Sequence, residues 1–179
     1  MTVARQLAER ILAPTFQDLP ADAVHWAKIG ILDTVGVTIA GASEPCTTIT
    51  AATPGIADTD GPALLFGLSR RTSVLDAVLL NGIASHALDY DDVNNQIGGH
   101  PSVPLVPAMF ALADMADTTG ADAIAAYISG FEAETQIGLG VHYHHYAKGW
   151  HPTATLGIFG TVAVGARLLE LNEDQTAQA

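Results

Sequence analysis

Glycine recurs inside stretches that otherwise carry the apolar spacing of helices. Gly30 and Gly36 interrupt the run Val24, Ala27, Ile31, Leu32, Val35, Ile39; Gly130 falls in the run Ile124, Tyr127, Ile128, Phe131; Gly157, Gly160 and Gly165 punctuate the last long run. Each interior glycine costs a helix about 1 kcal/mol relative to alanine. That cost makes sense where helices cross so closely that a Cβ would not fit, so the pattern predicts a closely packed, all-α domain. Composition agrees. The chain is 49% hydrophobic and 15% charged, with Ala, Leu, Ile and Val dominating over aromatics, which excludes a disordered tail. Its 179 residues suffice for one core, and we expect one domain over 1–179.

The spacing predicts a first short helix through Val3, Leu7, Ile11 and Leu12, closed by Pro14. A second starts at Asp18-Leu19-Pro20 and runs to Gly41. Ser43 to Pro62 reads as loop, and Ala63 to Phe66 as an extended piece. Further helices are expected from Thr72-Ser73 to a stop near Tyr90, from Pro101 to Ala116, from Gly120 through Phe131, and from Pro152 to near Leu171. Asn172 then caps a fresh helix that has room for about two turns, marginal in isolation. We therefore expect the domain to be truncated at its C-terminal end.

Seven lysines and arginines against a net charge of −12 leave no basic face, so nucleic acid and anionic membranes are not expected partners. The longest uncharged apolar stretches, Val103–Ala113 and Leu156–Ala166, are too short to span a bilayer, and Met1–Leu12 lacks a signal peptide's apolar core. Cys46 is the single cysteine, which excludes an internal disulfide and a cysteine zinc site and points to a reducing, cytoplasmic setting.

Chemistry concentrates in two places. In Asp89-Tyr90-Asp91-Asp92, carboxylates crowd one short turn. They could supply a general acid or base, ligate a metal, or form a solvated acidic turn; the neighbouring Gly98-Gly99-His100 favours the first. The second feature is paired: Gly99-His100-Pro101-Ser102 and Trp150-His151-Pro152-Thr153. A residue before proline is pushed out of helical geometry, and proline suits the first helical position. Each histidine should therefore stand beside a helix N-terminus, where anions bind and an imidazole is kept neutral, although each could equally be a simple cap. Lys148, three residues before His151, could steer a carboxylate. His142-Tyr143-His144-His145 matches no zinc spacing and suits a packing contact better. Phosphate loops, dinucleotide fingerprints and nucleophile elbows are absent from the sequence.

The ordered set Asn81-Gly82-Ile83-Ala84-Ser85-His86-Ala87-Leu88-Asp89-Tyr90-Asp91-Asp92, Gly99-His100-Pro101-Ser102 and Lys148-Gly149-Trp150-His151-Pro152-Thr153 resembles the MmgE/PrpD family. The family includes 2-methylcitrate dehydratase, cis-aconitate decarboxylase and iminodisuccinate epimerase. The resemblance covers essentially the whole chain, and Leu32-Asp33-Thr34-Val35-Gly36 also fits it. It implies the N-terminal part of a large helical domain, with the family's smaller α/β lid domain absent, and usually a homodimer. It also implies a lyase or isomerase acting on a small di- or tricarboxylate, as 2-methylcitrate dehydratase does, by acid–base chemistry without metal or organic cofactor. Carried over residue by residue, Asp89, His100 and His151 match catalytic positions, and we assign Lys148, Ser102 and Asp92 to substrate binding. Val93 stands where the family commonly has a small polar residue. The short chain and Val93 also admit a second reading, a non-catalytic helical remnant or subunit of such an enzyme.

Overall fold

The protein is described here by a computed structural model covering residues 2–179. Its elements in chain order are α1 (Val3–Leu12), α2 (Ala21–Gly41), α3 (Pro45–Ala51), β1 (Ala63–Leu65), β2 (Arg70–Thr72), α4 (Val74–His86), α5 (Ser102–Ala113), α6 (Gly120–Val141), α7 (His144–Ala147), α8 (Pro152–Thr155), α9 (Gly157–Leu168) and α10 (Glu173–Gln178). The fold is mainly helical, as the sequence predicts. Most helix starts follow local chemistry. Thr2, Ser73, Thr119 and Asn172 each accept a backbone N–H of the first turn through a side-chain oxygen, and Thr119 and Asn172 belong to reciprocal caps with Asp122 and Gln175.

The core lies between α5, α6 and α9, with α2 against α4, α5 and α6. Leu105, Val106, Met109, Ala126, Tyr127, Val164 and Leu168 fill it. Its tightest point is the α6–α9 crossing. A Cβ on Gly130 would meet Gly160 O at 2.8 Å, and one on Gly160 would meet Leu105 Cδ2 at 2.7 Å and Gly130 O at 2.9 Å. Backbone cannot yield as a side chain can, so the helices would have to separate. Gly160→Ala is therefore expected to lose ~1–3 kcal/mol despite alanine's better helix propensity. Gly36, where an added Cβ meets nothing within 4 Å, should gain up to about 1 kcal/mol as alanine. Urea unfolding of the two variants checks the contrast; equal shifts would remove the crossing argument. Close approach therefore explains Gly130, Gly157 and Gly160, but not Gly36 or Gly165, whose nearest neighbour is Leu112 at 3.8 Å.

Elsewhere the structure corrects the local expectations. The stretch from Ser43 to Pro62 contains α3, with Pro45 at its first position. The hydroxyls of Thr48 and Thr50 donate to carbonyls four residues back, and Thr47 Oγ1 donates to Gly41 O, so the hydroxyls of this segment are satisfied within a helix. The extended Ala63–Leu65 pairs antiparallel with Arg70–Thr72 in a small ribbon. The fourth helix stops at His86, four residues early, and the sixth runs ten residues beyond Phe131 to Val141. The last long run is broken at Leu156 into α8 and α9. The C-terminal α10 packs on α1, where Arg5 and Asp174 pair at 3.0 Å and Thr176 is buried. Tertiary contact thus supplies what so short a helix lacks.

Among the described residues, α2 has the length and apolar content to cross a bilayer, although Asp22, Lys28 and Asp33 keep it from being an uncharged stretch. Trp26, Ile29, Leu32 and Ile39 are exposed along it.

Candidate acid–base site

The site begins where α4 ends. His86 occupies the last turn of α4, and Asp89 takes a left-handed backbone conformation (φ 54°), which aspartate tolerates better than most residues. The chain reverses there and carries Asp91 inward, to 4% exposure. Asp92 then ties the turn to α5: its two oxygens accept from Ser102 N at 3.1 Å and from Ser102 Oγ at 2.6 Å. The loop beyond is closed by Asn94 N–H donating to Gly99 O, by Asn94 Nδ2 donating to Thr135 Oγ1, and by Ile97 buried against Gly138.

The two histidine–proline elements are stitched directly together. His100 N–H donates to Thr153 Oγ1 at 2.9 Å, and Gly99 lies so close that a Cβ would sit 2.9 Å from Thr153 N. His151 stands directly before a helix with Pro152 at its first position, as predicted, whereas α5 begins one residue later than expected, at Ser102, with Pro101 as its cap. The helix after His151, however, is a single turn, so its dipole is short.

Around this junction the titratable groups converge. Asp91 Oδ2 lies 2.9 Å from His86 Nδ1 and 3.0 Å from His100 Nδ1. Only the first contact has hydrogen-bond geometry; His100 Nδ1 and Asp91 Oδ1 are buried without a partner. His100 Nε2 is 3.5 Å from Asp89 Oδ1, beyond a normal hydrogen bond, and the Asp89 side chain is 80% exposed. The His86 ring meets that of His100 edge-on at 4.8 Å and lies 5.8 Å from that of His151. His86 is therefore the middle member of three imidazoles, and His151 and Asp89 leave the face open.

Behind this face runs a second polar chain. Ser102 Oγ is 2.6 Å from Tyr127 OH as well as from Asp92. Burial raises the Asp92 carboxyl above its usual range, the two Ser102 hydrogen bonds oppose it, and the charges of Asp91 and Asp33 add to it. Burial also raises the Tyr127 hydroxyl, again against a Ser102 hydrogen bond. Glu134 is fully buried beside Gly157 and Gly160, has no hydrogen-bond partner for either oxygen, and is pushed up to about 9 by burial and then by Asp92.

Asp89, His100 and His151 thus come to one face, as expected. Ser102 and Asp92 bond each other under it, Ser102 fully buried, and in this arrangement they hold α5 rather than face outward. Lys148 is exposed at the end of α7 and pairs with no site residue among those described. His86 and Asp91, which the sequence reasoning left out of the site, are central to it; both lie inside the motif that drew attention to Asp89. His145 accepts or donates at 2.6 Å to Thr155 Oγ1 and stacks on Trp150, a packing role. Ligand atoms of His86, Asp89, Asp91 and His100 lie within 4.8 Å of one another, close enough to hold a cation and equally close enough to exchange protons. A 450 Å³ apolar groove between α2 and α6, lined by Trp26, Ile29 and Phe131, reaches this region through Asp92, Val93 and Tyr127.

Fold and site together define a mainly helical domain with a histidine–aspartate cluster on an open face. The chain belongs to the MmgE/PrpD family: the family's N-terminal domain matches residues 5–179. It is similar to the cis-aconitate decarboxylase-like protein oryM of Aspergillus oryzae, 28% identical over 170 residues, covering 90% of this chain and 35% of that protein. It is similar also to cis-aconitate decarboxylase of Aspergillus terreus, 29% identical over 169 residues (90% and 34% covered), and of Homo sapiens, 25% over 181 residues (89% and 37%). The chain spans about a third of the length of these relatives.

Proposed function

We propose that the chain is the histidine-bearing part of a lyase acting on a small tricarboxylate by acid–base chemistry without metal or organic cofactor. The observation that carries this reading is the convergence of His86, His100 and His151 around Asp91 on one open face. Relatives named cis-aconitate decarboxylase favour decarboxylation over the 2-methylcitrate dehydratase-like dehydration expected from the family resemblance. In decarboxylation the bond to a carboxylate carbon breaks, carbon dioxide leaves, and the electron pair left on carbon takes a proton. An imidazole delivers that proton. Dehydration would use the same groups in another order, one removing a proton beside a carboxylate and another protonating the departing hydroxyl. Lys148 would attract a substrate carboxylate, and residues 1–179 alone would hold the histidines without the activity. We propose further that the protein is a cytoplasmic homodimer.

The protein expressed from its complete reading frame should release carbon dioxide from cis-aconitate, unchanged after chelation by EDTA. Elimination of water from 2-methylcitrate with no carbon dioxide would move the assignment to dehydration. Absence of turnover across di- and tricarboxylates would sink the enzyme reading, and loss of turnover on chelation would point instead to a cation on His86, Asp89, Asp91 and His100.

A further inference from the structure

We propose that Asp91 is the positioning residue of this site: it fixes the ring orientation and tautomer of His86 and steadies His100 from behind. The inference rests on the acid–base reading above. A carboxylate only accepts hydrogen bonds. With the Asp91 side chain wholly buried and Oδ2 at 2.9 Å from His86 Nδ1, the His86 proton belongs on Nδ1. Nε2 is then the free nitrogen, turned away from Asp91. His100 presents Nδ1 to the same oxygen at 3.0 Å, out of line for a hydrogen bond, so a modest ring rotation distinguishes a held His100 from a loose one.

The energetics favour this assignment over a packing role. A buried carboxylate without partners is costly, and among the described residues the His86 N–H is the one hydrogen-bond donor Asp91 has. Charge-assisted bonds of this kind are about twice as strong as neutral ones. Asp89 makes the complementary case: exposed, and 3.5 Å from His100 Nε2, it is free to move with a ligand. One carboxylate holds the rings from within while the other meets them from outside. His86, between His100 and His151, is the third imidazole of the face.

Nitrogen-15 NMR of the complete protein, at a pH where the rings are neutral, should show His86 protonated on Nδ1. A wild-type His86 carrying its proton on Nε2 overturns the proposal without any variant. Asp91→Asn offers an amide N–H in place of an acceptor and permits the opposite tautomer. We expect it to lower kcat at least 30-fold with KM within threefold, and to move the His86 signal toward the Nε2–H form. A kcat within threefold of wild type, or a rise in KM at unchanged kcat, overturns it as well. Should the wild-type protein turn over no carboxylate at all, the lyase reading fails separately, and the tautomer of His86 still decides for or against Asp91.

Discussion

Replacing His151 by alanine in the complete protein is expected to lower kcat/KM by 10²- to 10³-fold. The magnitude follows from general acid–base catalysis, which contributes roughly 10²–10⁴-fold when a positioned side chain moves a proton in the transition state. The structure makes this substitution informative because the ring has no structural duty. The start of α8 is held by the backbone: His151 O accepts from Ala154 N, Thr155 N and Thr155 Oγ1. No side-chain cap is made by His151, and the residue is exposed. The Ala variant keeps Pro152, the carbonyl and the fold, so its thermal midpoint should stay within a few degrees of wild type. Loss of turnover with unchanged stability would assign the proton step to the imidazole; near-normal turnover would remove His151 from the chemistry.

The histidine–proline elements were legible because their information is local. Proline after histidine dictates an extended His100 and His151 and a helix start behind them, whatever the tertiary fold. Helix caps at Ser73 and Asn172 were legible for the same reason. What could not be read is convergence. Nothing in the order of residues says that Asp89 turns left-handed and thereby carries Asp91 beneath His86 and His100. The family resemblance points to the exposed Asp89 and is silent on the buried Asp91. Ser102 and Asp92 are expected among substrate contacts; in the fold Ser102 Oγ bonds both Asp92 and Tyr127 under the site. Lys148 shows the reverse problem. It lies three residues before His151 in sequence, yet Gly149 (φ 88°) intervenes, and sequence proximity does not fix direction through such a bend.

The same distinction explains α3. Threonine and proline favour loops only while their hydroxyls and ring are judged alone. With Pro45 first and Thr48 and Thr50 donating to their own helix carbonyls, the segment forms a helix against α4. Propensity is a weak prior that tertiary packing overrides.

Glu134 supports the other large prediction, and it concerns stability rather than turnover. Its carboxyl is buried where α6 crosses α9 and is raised to about 9. An unfolded chain loses that proton near 4.5. Between these values the folded state holds a proton that the unfolded state has released, so stability falls as pH rises from about 4.5, and the fall is complete near 9. Below the lower value this group adds no slope. Each unit corresponds to ~1.4 kcal/mol, so at neutral pH the penalty is on the order of 3 kcal/mol. Glu134→Gln keeps the shape of the protonated acid and cannot ionise. In urea unfolding of the complete protein, the variant should match wild type near pH 4.5 within about 1 kcal/mol, the cost of an amide left without partners being similar to that of the acid. Its advantage should then widen steadily with pH. Parallel stability curves for the two proteins across that range would mean that Glu134 is charged in the fold, with a partner at the crossing that compensates it.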